Sequence, residues 1–128
     1  MKRAVAAFVA MLLAGCQSAT PTLTAEEKAP AKPSVPTLSG EALRGFIVGR
    51  ALRYNHYGAV STFYPDGRYG YRDYEVRDAG TYAISGDAVC ITFEDGGRRC
   101  DRYAQIGSDY YRIEEGGWQT KVDGNGPA

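Results

Sequence analysis

Three tight turns set between alternating runs of residues restrict this chain's fold more than anything else in it. Pro65-Asp66-Gly67 separates Val60–Tyr64 from Arg68–Arg72, Gly86-Asp87 separates Thr81–Ser85 from Ala88–Phe93, and Glu94-Asp95-Gly96 follows directly. Proline suits the first position of a turn, and glycine supplies the positive φ that closes a three-residue hairpin loop. Glycine at the first position of a two-residue loop fits a type II′ turn. Turn geometry sets strand register, and register decides which side chains share a face. The first turn sets Phe63 opposite Tyr69 and Ser61 opposite Tyr71. The second sets Ile84 opposite Val89 and Tyr82 opposite Ile91, so that these residues and Phe93 share one apolar face. A slip of one residue would scatter that set, so the turn and the apolar pattern support each other.

The third turn sets Thr92 opposite Arg98, Ile91 opposite Arg99 and Cys90 opposite Cys100. Counting outward, the cysteines form a non-hydrogen-bonded pair, whose Cα atoms approach to about 4.5 Å, within the usual span of a disulfide. The expected bridge lies on the face opposite Ile91 and Phe93. Arg99 interrupts the apolar alternation: either its stem covers the edge of the core or the strand bulges. From Arg50 onward the whole pattern is β. Arg102–Ile106 and Tyr110–Glu114 flank a Gly107-Ser108 turn, and Trp118–Val122 forms a last strand. Upstream, Ser39 is placed to cap a short helix over Gly40–Val48 that Gly49 ends. Ala42, Leu43, Phe46 and Ile47 share its apolar face, which suits a plug or cover at one end of a sheet. The expected fold is mainly β: a short N-terminal helix, then an antiparallel meander of about six or seven strands in a strongly curved sheet or small barrel. This domain spans residues 38–122, and residues 123–128 form a flexible tail.

The N-terminal stretch has a different character. Lys2 and Arg3 precede the apolar run Ala4–Ala14, and Leu13-Ala14-Gly15 leads into Cys16. The run is too short for a bilayer span, which takes about 20 residues, and its charge, length and small residues near Gly15 suit an export signal. The Leu-Ala-Gly-Cys sequence resembles the lipobox of bacterial lipoproteins. That resemblance implies removal of residues 1–15, a diacylglycerol thioether on Cys16, and an N-acyl chain such as palmitate. Two or more chains hold a protein stably on a membrane. Gln17, rather than Asp, implies transfer to the outer membrane, facing the periplasm. Residues 16–37, with Pro21, Pro30, Pro33 and Pro36, read as a tether. As a coil it spans roughly 25 Å, and about 65 Å if polyproline-like.

Composition narrows the partners. Basic and acidic residues balance at fifteen each, and loss of Lys2 and Arg3 leaves the remainder mildly acidic. That gives no electrostatic case for nucleic acid. Of three cysteines, Cys16 stands apart, which leaves Cys90 and Cys100 as an even pair for an oxidising compartment. Two cysteines and the single histidine, far apart in the chain, do not suggest a metal site, and no cofactor is called for. His56 lies in a loop with no nucleophile motif framing it. The aspartates sit mostly in turns, where they cap backbone groups. No catalytic residue is assigned, and a non-enzyme is expected.

The tyrosines are the remaining candidates for binding. Tyr54, Tyr57, Tyr64, Tyr69, Tyr71 and Tyr74 crowd one stretch of a chain with ten. Two readings stand: Tyr54, Tyr57, Tyr69 and Tyr71 stack on a glycan or other ligand, or they are good strand formers whose hydroxyls reach the rim of a small core. Gly80-Thr81-Tyr82, Gly86-Asp87, Cys90, Cys100 and Tyr103, with Leu38, Gly40, Leu43, Gly45 and the Pro65-Asp66-Gly67 turn, resemble the pattern of small exported bacterial β domains similar to calycin-like barrels. The resemblance covers residues 38–115 and implies a fold and a disulfide but no catalytic residue. Tyr82 stands where Trp is common in that pattern. The expected function is a lipid-anchored periplasmic protein that binds an envelope protein or glycan. The alternative is an inhibitor of a lysozyme-like envelope hydrolase, with Tyr54–Gly58 or Tyr110–Gly117 as its probing segments.

Overall fold

The computed structural model describes residues 35–128; the expected signal segment, Cys16 and the expected tether as far as residue 34 lie outside the described residues. One helix, α1 (Gly40–Ile47), precedes eight strands: β1 (Arg50–Tyr54), β2 (Val60–Phe63), β3 (Arg68–Arg72), β4 (Arg77–Ser85), β5 (Ala88–Phe93), β6 (Arg98–Ile106), β7 (Asp109–Glu114) and β8 (Gln119–Pro127). Each strand pairs antiparallel with its neighbours in the chain, and β8 pairs back onto β1, so the sheet closes into a barrel without a free edge.

The hairpin registers agree with the turn chemistry. Phe63 faces Tyr69 and Ser61 faces Tyr71. Ile84 faces Val89 and Tyr82 faces Ile91. Cys90 faces Cys100, and the two form a disulfide with Cα atoms 4.0 Å apart. In β5 the period-two alternation sends Val89 and Ile91 into a fully buried core with Leu52, Phe63, Tyr69 and Tyr103. Cys90 lies on the opposite face of that strand.

Three features differ from the sequence expectation. There are eight strands, not six or seven. The extra one, β1, falls in the stretch from Arg50 that reads as β, with Leu52 and Tyr54 buried and Arg53 exposed between them. The expected flexible tail is instead the closing strand: Gly124, Asn125, Gly126 and Pro127 pair with β1 opposite Arg53, Leu52, Ala51 and Arg50. Their turn-like composition is overridden by pairing across the closure. Asn125 reinforces it by accepting from Arg50 Nε and donating to the Phe46 carbonyl. Third, α1 ends one residue early. Its Ser39 side chain makes no cap bond, although the Ser39 carbonyl accepts from the Leu43 amide. Leu43 and Ile47 are fully buried, while Ala42 is exposed. Phe46 stacks on Tyr110, ring centres 4.7 Å apart, and tilts against Tyr103. The helix thereby seals one end of the barrel.

Candidate functional site

The two ends of the barrel differ. At the sealed end, the incoming chain is fastened by a hydrogen bond from the Leu38 amide to the Tyr103 carbonyl, and by Thr37 Oγ1 donating to Asp87. Residue 128 returns there too, its amide donating to the Gly49 carbonyl. The opposite end carries four loops, at residues 55–59, 73–76, 94–97 and 115–118. Among the described residues, neither end of the chain crosses them.

Three of these loops follow one another around the rim and carry exposed aromatic rings. Tyr57, Tyr74 and Trp118 are 70%, 83% and 70% exposed. Tyr57 and Tyr74 share one groove, and exposed aromatic rings brought together are a common mark of a binding surface. Tyr57 holds a positive φ of 47°, a conformation that costs a non-glycine residue energy. Its carbonyl accepts from the Tyr74 amide at 3.3 Å. Tyr74 lies across Gly58, where a Cβ would meet its ring at 2.8 Å. Tyr57, Asp73, Tyr74 and Glu75 line a groove of about 260 Å³ between the two loops.

Asp73 fixes the second loop. Its Oδ1 accepts from the Glu75 and Val76 amides, both at 2.7 Å, and its Oδ2 from the Tyr71 hydroxyl at 2.9 Å. The two backbone N–H groups, with the Tyr71 hydroxyl, hold its carboxyl below the usual carboxylate range. Asp73 is therefore ionised at neutral pH.

Beneath the rim the barrel interior is polar. Arg99 pairs with Asp101 at 3.0 Å, and Arg112 with Glu114 at 3.0 Å. Asp101 is fully buried. The Arg112 guanidinium lies over the Tyr54 ring, 4.4 Å from its centre, a cation–π contact. Arg112 Nε and Nη1 and Arg99 Nη2 have no hydrogen-bond partner among the described residues. Burial pushes the Asp101 carboxyl up, and Arg99 and Arg112 pull against that without cancelling it. Deeper still, the Tyr54 and Tyr103 hydroxyls share a hydrogen bond of 3.0 Å, and Ser61 and Tyr69 share one of 2.9 Å. Burial raises the Tyr54 and Tyr103 hydroxyls, and pushes Tyr69 up to about 12. These phenols stay protonated and serve as packing and hydrogen-bonding groups.

The tyrosines proposed from sequence as one ligand surface are thus divided. Tyr54 and Tyr69 are core residues, Tyr71 is half-buried and tied to Asp73, and only Tyr57 presents its ring to solvent. Strand alternation explains the division: Tyr54, Tyr69 and Tyr71 fall on inward positions, whereas Tyr57 sits in a loop. The interior ion pairs were missed. Arg99-x-Asp101-x-Tyr103 and Arg112-x-Glu114 repeat with period two, a signal that would have placed them on one face. Charge normally marks an outward face, so the cue reads the wrong way. Arg99 neither bulges the strand nor merely covers an edge: it keeps its place opposite Ile91 and turns its head to Asp101. His56 is exposed, with the Tyr57 ring against it at 4.4 Å. Among the described residues no three His, Cys, Asp or Glu side chains converge as metal ligands.

No family model, no curated protein and no solved structure matches the chain.

Proposed function

We propose that the protein is a lipid-anchored lipoprotein of the bacterial envelope, held at the outer membrane by Cys16 and facing the periplasm, whose barrel binds an envelope partner without catalysis of its own. The observation that carries this reading is the asymmetry of the barrel. The tether joins the sealed end, and the exposed Tyr57, Tyr74 and Trp118 gather at the other. The interior is filled by Leu52, Phe63, Tyr69, Ile91 and Tyr103, which favours recognition by the rim over a ligand carried inside, since such ligands need a cavity of several hundred Å³. Locked, protonated phenols and an exposed histidine favour binding over chemistry.

Inhibition of a lysozyme-like hydrolase is a second reading. It is favoured by the Tyr57 loop, an exposed aromatic tip held in a fixed conformation, which is the shape that enters a cleft. Cross-linking in whole cells, followed by capture of the protein, tests both. Wild type should retain one specific envelope protein that a Tyr57→Ala/Tyr74→Ala/Trp118→Ala variant loses. Equal capture by the variant would reject rim recognition. Labelled palmitate should enter wild type and not Cys16→Ala; labelling of the variant would reject the anchor.

A further inference from the structure

We propose that the groove between Tyr57 and Tyr74 receives a lysine or arginine side chain, so that the open end docks a basic surface of a protein partner. The proposal rests on the open end being the binding face, and names the chemistry that face selects. Two exposed aromatic rings border the groove, and the carboxylates of Asp73 and Glu75 complete its lining. The faces of aromatic rings attract cations electrostatically, and a carboxylate beside them adds direct charge pairing. Together they make a pocket for an ammonium or guanidinium head whose methylene stem lies on the rings.

The charged residues within the loops have the same sign. The loops at 55–59, 73–76, 94–97 and 115–118 contain Asp73, Glu75, Glu94, Asp95 and Glu115, and neither lysine nor arginine. The basic residues near this end lie in the strands, three of them exposed where the strands meet the 73–76 and 94–97 loops. Arg99 and Arg112 are turned inward against Asp101 and Glu114, while Arg72, Arg77 and Arg98 stand at strand ends. The loops themselves therefore present carboxylates and aromatic rings, with arginines at their flanks. Carboxylates in the loops attract a cationic side chain that reaches the groove, within about 10 Å at ordinary salt. A neutral glycan would gain from the rings but not from this arrangement of charge.

The test uses the mature lipidated protein in a non-ionic detergent, titrated calorimetrically with three probes: a Gly-Arg repeat hexapeptide, its Gly-Glu counterpart, and the N-acetylglucosamine tetramer. Binding of the arginine peptide is expected, with affinity falling several-fold as salt rises from roughly 50 to 300 mM. Tyr74→Ala should weaken it about two- to fivefold, and Glu75→Gln should weaken it and flatten its salt dependence. Glu41→Gln on α1 should leave it unchanged. No binding of the arginine peptide, or equal affinity in Tyr74→Ala and Glu75→Gln, overturns the proposal. If the glycan alone binds and perturbs Tyr57 or Tyr74, the cation chemistry falls and the open end stands as a binding face. If the arginine peptide perturbs only residues of the sealed end, both fall.

Discussion

Gly80 should be among the least replaceable residues of the barrel, and Gly80→Ala measures how closely β4 and β5 approach. Gly80 stands between Tyr69 and Phe93 across the sheet. A Cβ there would lie 2.1 Å from the Thr92 carbonyl oxygen and 3.0 Å from Phe93 Cα. Both are backbone atoms, so no side chain can swing aside. Restoring an ordinary contact means moving one strand by about 1 Å where packing leaves little slack. Overpacking of this kind costs about 1–3 kcal/mol. The adjacent β4–β5 hydrogen bonds and the bond from the Glu94 amide to the Ala79 carbonyl, 3.0 Å, would stretch, at about 1 kcal/mol for each one lost. Together these give about 3–5 kcal/mol, a large share of the 5–15 kcal/mol typical of a small domain. At about 4–8 °C per kcal/mol, the melting temperature should fall by roughly 12–40 °C, read by circular dichroism alongside a urea titration. Gly45→Ala is the control of opposite sign. Gly45 lies in α1, exposed, with open space where its Cβ would go, so alanine should stabilise by about 0.5–1 kcal/mol. A Gly80→Ala variant within 1 kcal/mol of wild type would refute the close approach of these strands.

Two further outcomes concern the disulfide and two ion-paired carboxylates. Cys90→Ala/Cys100→Ala opens a short loop of sequence separation 10 and should cost about 2–3 kcal/mol in denaturant titration; an unchanged midpoint would mean that the bridge does not restrain the unfolded chain. Asp87 and Asp101 should titrate on opposite sides of the unfolded aspartate value of about 3.9. For Asp87, burial pushes the carboxyl up, but the Thr37 hydroxyl and Arg102 more than offset it, so the net shift is downward. Its stabilising contribution is present above the unfolded value and is lost as pH falls through the folded one. For Asp101, burial raises the carboxyl, so its contribution is greatest below the unfolded value and declines as pH rises through the folded one. Carboxyl-carbon NMR titration reads both midpoints, and an Asp101 midpoint below about 3.9 would show that the two arginines outweigh burial.

Much of the barrel was legible residue by residue. The turns at 65–67, 86–87 and 94–96 are local chemistry, and each imposes a register on the strands beside it, down to Cys90 facing Cys100. The apolar face of α1 was legible too, apart from Ala42. These features depend on neighbours a few residues apart, where glycine, proline and period-two alternation act directly.

Closure did not reduce to local signals. β8 meets β1 across most of the domain, as in Leu52 facing Asn125, and a Gly-Asn-Gly-Pro segment becomes strand only because β1 offers it a ladder. The division of the tyrosines likewise followed from which positions face the interior once the sheet had curled shut. The interior charges needed the tertiary structure most. Asp101 and Arg112 read as surface residues singly, and only a closed barrel sets Arg99 against Asp101 and Arg112 against Glu114 and Tyr54. The sequence by itself determined the hairpins, the disulfide pairing and the presence of a plug. The tertiary structure decided that one end is sealed by α1 while the loops of the other carry Tyr57, Tyr74, Trp118 and carboxylates, because antiparallel strands joined by short turns send alternate loops to opposite ends.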